Sequence, residues 1–333
     1  MSNNQDNRAR PTVQELWQSD PDTPPDCLAS EHAEPLESLQ IDKRVYTDPV
    51  QHAAEVEKMW AKVWQMVCRE EDLAAAGDHI VYDIGDKSLV ITRTEQGEIK
   101  AFYNSCLHRG RRLCDRDGWA ERFRCAYHGF TWNTDGSLHE IPTPWDFGHV
   151  DAANFTLPEA KVACWAGFVF ANMDPDCEPL EDYLGVLPEH FAQWDFNARR
   201  KTAHVAKVIP CNWKVALEAF LEGLHVAEVH PEALPYTGDI NCQYDIWGPH
   251  ISRMMSALAT PSPRLAADAR SEQDTVDAMR GFVVGDIGEL TVPANGSARQ
   301  VMGKAMKAML SQATGVDHEP FSISEVLDAI QYF

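Results

Sequence analysis

The sequence predicts an α+β chain, with an antiparallel, β-rich unit between helical regions. Near residue 79 the hydrophobic pattern changes from helical spacing to the alternation of strands, and glycine-containing turns separate the strand-like runs. Helical patterns return at 211–230 and after 262. Because strands joined by short turns pair antiparallel, we expect one sheet-based unit over about 79–172.

The individual elements follow from these patterns in chain order. Residues 1–45 are polar, acidic and rich in proline, and predict a loose arm that lies over a partner or over its own domain. Asp48 and Pro49 are the N-cap and first residue of a predicted helix, whose apolar residues up to Trp64 should bury one face. The predicted strands cover 79–84, 88–92, 99–103, a hairpin at 130–138, and 162–172. The predicted helices cover 211–230, 275–280, 298–313 and 323–332.

Composition and charge exclude several classes of protein. The 333 residues include 51 acidic and 29 basic side chains, and the formal charge of −22 disfavours nucleic-acid binding. The apolar stretch 162–173 is too short to cross a bilayer, and the N-terminus has no apolar signal region. Nine scattered cysteines, an odd number, do not form a disulfide framework. We therefore expect a cytoplasmic protein that binds neither nucleic acid nor membrane.

A first cluster of metal-binding residue types follows the strand at 99–103. Cys106 and His108 form one arm, and Cys125 and His128 form the other. Zinc binds Cys₂His₂ sets, but common zinc motifs pair Cys with Cys and His with His, whereas both arms here are mixed. A [2Fe–2S] cluster of the Rieske type takes two Cys on one iron and two His on the other. A glycine after each arm lets backbone amides approach the cluster sulfurs. A Rieske cluster is the preferred interpretation; structural zinc and a chance group of core residues are the alternatives.

A second cluster lies in the predicted helix 211–230. Glu218, Glu222 and His225 are predicted to share one face of this helix. His230 lies farther round, so the helix must end or distort before His230 can reach the same metal, and Pro231 is consistent with an ending there. Two histidines and a carboxylate form the facial triad of non-haem Fe(II) oxygenases. The alternative for this pair taken alone is ordinary core or surface histidines.

Together the two clusters resemble the motifs of the Rieske non-haem iron ring-hydroxylating oxygenases, catalytic α subunit, over roughly residues 45–235. Asn-Trp-Lys at 212–214 contributes to the resemblance. It implies an antiparallel β Rieske domain with its leading helix at 46–165, behind the arm at 1–45, and a mixed helix and sheet catalytic domain at 166–333. Glu222, the candidate catalytic residue, stands where the family commonly has an Asp that links the two metal sites, and Ala126 stands where it usually has Pro. The resemblance assigns the [2Fe–2S] cluster to Cys106, His108, Cys125 and His128, and a mononuclear Fe(II) to His225 and His230.

The resemblance also implies the reaction and its partners. A ferredoxin and/or flavin reductase, fed by NAD(P)H, reduces the cluster, which passes electrons to the Fe(II). The Fe(II) activates O₂ for hydroxylation of an aromatic or similar apolar organic compound. The family forms head-to-tail homotrimers, in which the cluster of one subunit faces the iron of the next, and some members carry a β subunit. Arg109, Arg111 and Arg112 either receive an acidic partner beside the first arm or form internal ion pairs.

The third iron ligand is the open point of this assignment. In the family a carboxylate, usually Asp, arrives far downstream of the second histidine. Asp317 and Asp328 are the candidates in this chain, and both come earlier than the family places the ligand. We therefore expect the chain to be C-terminally incomplete, with the ligand beyond Phe333. The alternative function is a non-catalytic Rieske electron carrier or a degenerate oxygenase fragment that lacks the third ligand.

Overall fold

A computed structural model describes residues 11–32, 40–266, 270–283, 285 and 287–333. The chain divides into two compact units. One is Ile41–Pro210, and the other combines the described part of Met1–Gln40 with Cys211–Phe333. In the described ranges, no helix is long and apolar enough to cross a membrane.

The secondary structure of the described residues confirms an α+β chain with antiparallel sheets. The strands are β1 (Gln65–Arg69), β2 (Asp78–Ile84), β3 (Lys87–Arg93), β4 (Ile99–Tyr103), β5 (Gly118–Trp119), β6 (Arg122–Arg124), β7 (Thr131–Asn133), β8 (Leu138–Glu140), β9 (Glu159–Trp165), β10 (Phe168–Asn172), β11 (Thr237–Trp247), β12 (Ile251–Leu258) and β13 (Ala329–Tyr332). The helices are α1 (Val13–Trp17), α2 (Asp26–Ala29), α3 (Arg44–Thr47), α4 (Pro49–Glu55), α5 (Leu180–Leu184), α6 (Leu187–His190), α7 (Trp213–Glu218), α8 (Val226–Val229), α9 (Glu272–Arg280), α10 (Ala298–Thr314) and α11 (Ile323–Leu327).

The unit Ile41–Pro210 is built on a seven-stranded sheet in the order β1-β10-β9-β4-β3-β2-β5, with a second sheet β6-β7-β8. Each neighbouring pair is antiparallel. The predicted strands at 79–84, 88–92 and 99–103 are confirmed as β2, β3 and β4. Their inward side chains, with Leu89, Ile91 and Ala101 almost fully buried, form one core. The β6–β7 hairpin packs a second core through Phe123 and Trp132.

Two sequence predictions for this unit differ from the structure. The predicted helix after Asp48 is α4 continued by a π-helical turn, Val56–Trp60. The predicted strand 162–172 is two strands, β9 and β10, joined at Ala166 and Gly167, which have φ of 52° and 79°. A predicted domain boundary at 165/166 therefore falls inside a hairpin, and the compact unit runs on to Pro210.

The other unit has the antiparallel sheet β11-β12-β13, with a helical core formed by α9, α10 and α11. The helices predicted at 275–280 and 298–313 are confirmed as α9 and α10. The helix predicted at 323–332 is wrong after Leu327, because Ala329–Tyr332 pair with β12 as a strand. Strands β11 and β12 are not predicted by the sequence pattern, because their buried polar residues Asp245 and Arg253 obscure the strand alternation.

Of the predicted arm, residues 11–32 lie over the unit of their own chain and are packed against it, so this part is not loose. Val13 and Trp17 are each 1% exposed. The Trp17 indole donates to Asp328 Oδ2 (2.6 Å), and Asp20 forms a buried ion pair with Arg299 (2.7 Å). Because a buried charge needs a partner, this ion pair fastens the segment to α10. The rest of the predicted arm, 1–10 and 33–39, lies outside the described residues.

Candidate metal centres

The arm that carries Cys106 and His108 is a closed loop after β4. The backbone N–H of Cys106 donates to the carbonyl of Arg111 (2.8 Å), and the N–H of Gly110 donates back to the carbonyl of Cys106 (2.8 Å). Gly110 has φ of 71°, in the left-handed region that favours glycine. The glycine that the sequence places after this arm therefore closes the loop.

The second arm repeats the same backbone arrangement between β6 and β7. The N–H of Cys125 donates to the carbonyl of Phe130 (2.8 Å), and the N–H of Gly129 donates to the carbonyl of Cys125 (3.0 Å). Gly129 has φ of 77°. Two loops with one geometry thus present one thiol and one imidazole each.

The structure brings all four side chains of the first cluster together. The thiols of Cys106 and Cys125 are within hydrogen-bonding contact, and both residues are buried. The imidazole rings of His108 and His128 have centroids 4.7 Å apart, and His128 is exposed. The thiols therefore lie at the inner end of the site and the imidazoles toward solvent, as two chemically distinct pairs.

This arrangement suits a two-iron cluster. The four side chains form one pair of thiols and one pair of imidazoles, whereas tetrahedral zinc would need all four around one ion. A Rieske cluster needs only two protein ligands on each iron. Nδ1 of His108 is buried, and no described residue hydrogen-bonds to it. A buried polar atom of this kind is costly unless a ligand satisfies it, and a metal ion would do so.

The electrostatics of the first cluster also fit metal binding. Burial lowers the pKa of His108, and the neighbouring His128 and Arg109 lower it further, which favours the neutral imidazole that binds metals. Burial and the neighbouring Cys125 raise the pKa of the Cys106 thiol, although the backbone N–H groups of His108 and Arg109 oppose the shift. Those N–H groups would stabilise a thiolate once a metal displaces its proton.

Sequence reasoning missed two residues that hold the first cluster. Asn104 is buried; its amide donates to the carbonyl of Cys114 (2.7 Å), and its oxygen accepts from the N–H groups of Leu113 and Cys114 (3.0 and 2.9 Å). Phe130 stacks on the ring of His108, with centroids 4.7 Å apart. Only the position of Asn104 at the end of a predicted strand, two residues before Cys106, could have pointed to its role.

The second cluster does not lie on one continuous helix, so the predicted helix 211–230 is wrong in its middle. Helix α7 ends at Glu218 and α8 begins at Val226, with turns between them. Glu218, Glu222 and His225 therefore do not share one helical face. The structure instead places Glu222 and His225 in the turn before α8, and His230 directly after α8.

Within this turn, Glu222 holds His225 through two hydrogen bonds and the backbone of Leu224 through a third. Nδ1 of His225 lies 2.6 Å from Glu222 Oε1, and Glu222 Oε2 accepts from the backbone N–H groups of His225 (3.1 Å) and Leu224. Burial raises the pKa of Glu222, but these bonds outweigh it and the net pKa lies below its usual value. A histidine held by a carboxylate at Nδ1 leaves Nε2 for a metal.

The second imidazole lies beside the first. The rings of His225 and His230 have centroids 5.5 Å apart, at 74° to each other. The side chain of His225 is 31% exposed and that of His230 is 53% exposed. Two neutral imidazoles at this separation can face one ion from two sides, while the solvent side stays open.

Neither candidate for the third ligand joins these histidines. Asp328 is buried and already accepts bonds from the Arg299 guanidinium (2.7 Å) and the Trp17 indole. Asp317 is exposed and accepts from the N–H of Glu319 in a local turn. Both weak candidates from the sequence are therefore wrong for the structure described.

The three arginines beside the first arm differ in their contacts. Arg112 forms a two-pronged ion pair with Asp83, both bonds 2.8 Å long. Arg111 reaches Asp115 only at 4.0 Å, and the Arg109 guanidinium lies over the ring of Tyr127. The internal ion pair is thus realised at Arg112, whereas Arg109 and Arg111 present their charge at the surface.

Two family descriptions match the chain, one on each cluster. Residues 63–155 match the Rieske [2Fe-2S] domain. Residues 190–282 match the catalytic domain of the ring hydroxylating alpha subunit. The first match includes all four residues of the first cluster, and the second includes Glu222, His225 and His230.

Relatives with curated functions give the same result. The chain is 32% identical to the biphenyl 2,3-dioxygenase alpha subunit of Rhodococcus jostii over 194 residues, which cover 56% of this chain and 42% of that protein. It is 32% identical to the carnitine monooxygenase oxygenase subunit of Escherichia coli over 212 residues, which cover 62% and 57%. The chain thus spans about half the length of these relatives.

Solved structures agree on the fold. A quaternary ammonium Rieske monooxygenase aligns with a TM-score of 0.59 at 27% identity, covering 67% of this chain and 62% of that one. A naphthalene 1,2-dioxygenase aligns with the same TM-score at 20% identity, which supports the fold alone. The chain therefore contains a Rieske [2Fe-2S] domain and a match to the catalytic domain of ring-hydroxylating alpha subunits, and its relatives are oxygenase subunits of dioxygenases and monooxygenases.

Proposed function

We propose that this protein is a Rieske oxygenase subunit that takes electrons from a reductase and uses them at a mononuclear iron to hydroxylate an organic compound. The observation that carries the proposal is the convergence of Cys106, His108, Cys125 and His128 on two matching loops, with Nδ1 of His108 buried and unpaired among the described residues. The chain spans about half the length of its relatives. Support for the proposed activity therefore comes from the residues of this site and not from the similarity alone.

At the first centre, Cys106 and Cys125 would hold the inner iron, and His108 and His128 the outer one. Because Cys106 and Cys125 are buried, they would shield their iron from water, whereas the exposed His128 would leave its iron accessible to an electron donor or acceptor. When bound, the cluster would exchange single electrons and the mononuclear iron would bind and reduce O₂.

At the second centre, His225 and His230 would hold the iron, and Glu222 would fix the ring of His225. The bond from Nδ1 of His225 to Glu222 sets the ring orientation and directs Nε2 outward. The open side of the histidine pair leaves room for O₂, for substrate and for a carboxylate ligand.

The proposal includes the partners and location that such a reaction requires. The electrons come from NAD(P)H through a ferredoxin and/or flavin reductase in the cytoplasm, where thiols stay reduced; no disulfide joins the cysteines of the described residues. The substrate is an aromatic or similar apolar compound. The subunit works in a homotrimer, with or without a β subunit, because transfer between the two centres then runs from one copy to the next.

A second candidate function is a Rieske electron carrier without oxygenase activity. One observation favours it: the described residues supply two imidazoles to the second centre and no third ligand. Such a carrier would use Cys106, His108, Cys125 and His128 in the same way, but its second centre would hold no iron.

The two functions differ in iron content and turnover. We expect about three irons per chain in the oxygenase and about two in the carrier. His225→Ala should lower the iron content from about three to two and abolish product formation with reductase, NADH and an aromatic hydrocarbon. The visible absorption and the reduced-state electron paramagnetic resonance (EPR) of the cluster should not change, because the first centre lies in the other unit.

A matched variant is His139→Ala, which removes an exposed histidine from β8 and should leave both iron content and turnover unchanged. Full turnover in His225→Ala would remove the second-centre assignment. A wild-type protein that holds two irons and does not turn over would establish the carrier. A colourless, zinc-containing protein would overturn both.

A further inference from the structure

The turn that carries Glu222 and His225 rests on strand β11. The N–H of Gly223 points to the hydroxyl of Tyr244 (3.4 Å), and Gly223 also faces Cys242 and the carbonyl of Asp239. The turn and the strand are therefore in direct contact along β11.

At this point β11 departs from regular pairing with β12. The register between the two strands shifts between Thr237 and Cys242, so extra residues of β11 bulge out. The thiol of Cys242 donates to the carbonyl of Asp239 (3.0 Å) across the bulge. Bulges turn backbone groups out of the ladder, and this one turns the Asp239 carbonyl toward Gly223.

The contact leaves no room for a side chain at position 223. A Cβ on Gly223 would lie 3.0 Å from Cys242 Sγ and closer still to the Asp239 carbonyl oxygen, inside any normal van der Waals distance. Neither group can move freely: Cys242 is paired with Ser256 of β12, and Asp239, in the bulge, is 1% exposed and forms an ion pair with Arg264 (2.9 Å). The absence of a side chain thus sets how closely Glu222 and His225 approach β11.

We propose that the β11 bulge is a template for the mononuclear-iron turn, with Gly223 as its contact point and Tyr244 as a positioning residue. The template fixes the backbone between Glu222 and His225, and so fixes the hydrogen bond that orients the imidazole. This inference rests on the proposed function of His225 and His230 as metal ligands. It assigns a role to the strand residues Asp239, Cys242 and Tyr244, none of which contacts the metal.

The test uses Co(II) chloride as a probe of the second centre in cluster-loaded protein. The oxidised cluster gives no EPR signal, so the high-spin Co(II) signal reports the histidine site and its geometry. Gly223→Ala should weaken Co(II) binding at this site about 10- to 100-fold and alter the signal, as expected when the support of a ligand is displaced. Tyr244→Phe adds no volume and removes the hydrogen bonds of the hydroxyl with the Gly223 N–H and the Cys242 side chain, so it should weaken binding about two- to tenfold.

Gly281→Ala is the matched control, because a Cβ there meets only Ala278 at an ordinary 3.6 Å. It should bind Co(II) as the wild type does. Wild-type affinity and signal shape in Gly223→Ala would overturn the template. If Gly223→Ala does not accumulate as folded protein, Tyr244→Phe decides: an unchanged affinity and signal overturn the inference, and a weaker, altered signal supports it.

The failure of this inference is distinct from failure of the proposed function. A Co(II) signal in the wild type that survives His225→Ala would show that the histidines are not the ligands. A signal that depends on His225 but does not respond to Gly223→Ala and Tyr244→Phe would leave the ligands in place and reject the template.

Discussion

The two candidate metal centres are built in different ways. The Rieske loops close on themselves: both cysteines are buried, both loops share one backbone hydrogen-bond pattern, and Asn104 ties the ends of the first loop. The second centre sits on short helices joined by turns, with both histidines partly exposed and apolar neighbours such as Phe220 and Leu224 about 60% exposed. The first centre is complete within its unit, whereas the second is open. The residues of a cluster site can all lie in two short loops, whereas the surroundings of an open iron site depend on the residues that cover it.

We expect the largest effect from removal of a thiol at the closed first centre. Cys106→Ser should abolish cluster assembly completely, because one iron would lose half of its protein ligands. Loss of the visible absorption and of the reduced EPR signal checks this outcome. The Co(II) signal at His225 and His230 should persist, since those residues lie in the other unit.

Cys164→Ser is the control for Cys106→Ser, because Cys164 is an exposed thiol on β9. It should retain the cluster. A coloured, EPR-active Cys106→Ser protein would contradict the assignment of the first centre, and loss of both metal signals would contradict the independence of the two centres.

We expect a smaller effect when a residue that supports the first loop, but is not a cluster ligand, is replaced. Asn104→Ala leaves the backbone N–H groups of Leu113 and Cys114 without their buried acceptor. We expect a loss of about 1–3 kcal/mol in the free energy of unfolding, because buried groups would lose their partners. Urea titration followed by cluster absorbance measures it.

The matched change for Asn104→Ala is Asn133→Ala, which removes a half-buried side-chain bond to Ser137 outside both loops. It should release the cluster at nearly the wild-type urea concentration. If Asn104→Ala also released the cluster at the wild-type urea concentration, the closed character of the first loop would not depend on this side chain.

The smallest effect should come from the surface beside the first loop. Burial raises the pKa of Asp83, but bonds from Ser88 and Arg112 outweigh it and the net pKa lies below the usual value of 3.8. The stabilisation from this pair is therefore fully present above pH 3.8 and is lost as the pH falls through the lower folded pKa. Arg112→Ala should cost no more than about 1 kcal/mol at pH 7, because the pair is exposed.

A carboxyl titration by nuclear magnetic resonance checks the sign of this effect. Arg112→Ala should move the pKa of Asp83 upward toward 3.8, whereas Lys87→Ala, which removes a neighbouring pair with Asp86, should leave it in place. A pKa of Asp83 that does not move in Arg112→Ala would show that Ser88 alone holds it.

The strands of the Rieske unit could be predicted because their residues alternate and glycines mark their turns. The four cluster residues could be predicted because their spacing is local to two loops. The second centre was predicted only in part. The prediction of a continuous helix through Glu222 is wrong, because the chain turns there and Gly223 contacts β11. The sequence pattern does not predict β11.

The contacts of the N-terminal segment also cannot be predicted from the sequence. Its polar, proline-rich composition predicts a loose arm, yet Trp17 and Asp20 are buried against Asp328 and Arg299, about 300 residues away along the chain. A charge of this kind looks solvated in the sequence, because its partner is not nearby in the chain. For the same reason the sequence offers Asp328 as a candidate metal ligand: its partners Trp17 and Arg299 are brought to it only by folding.

Residue types at short spacing are enough to predict the β-rich unit, the two mixed Cys/His arms and the pair of downstream histidines. Folding decides that Nδ1 of His108 is buried without a hydrogen bond from any described residue, that Glu222 holds His225 in a turn, and that Asp328 is bound by Trp17 and Arg299. These outcomes depend on contacts between residues far apart in the chain, and the pairing of a buried polar group is settled by what folding brings next to it.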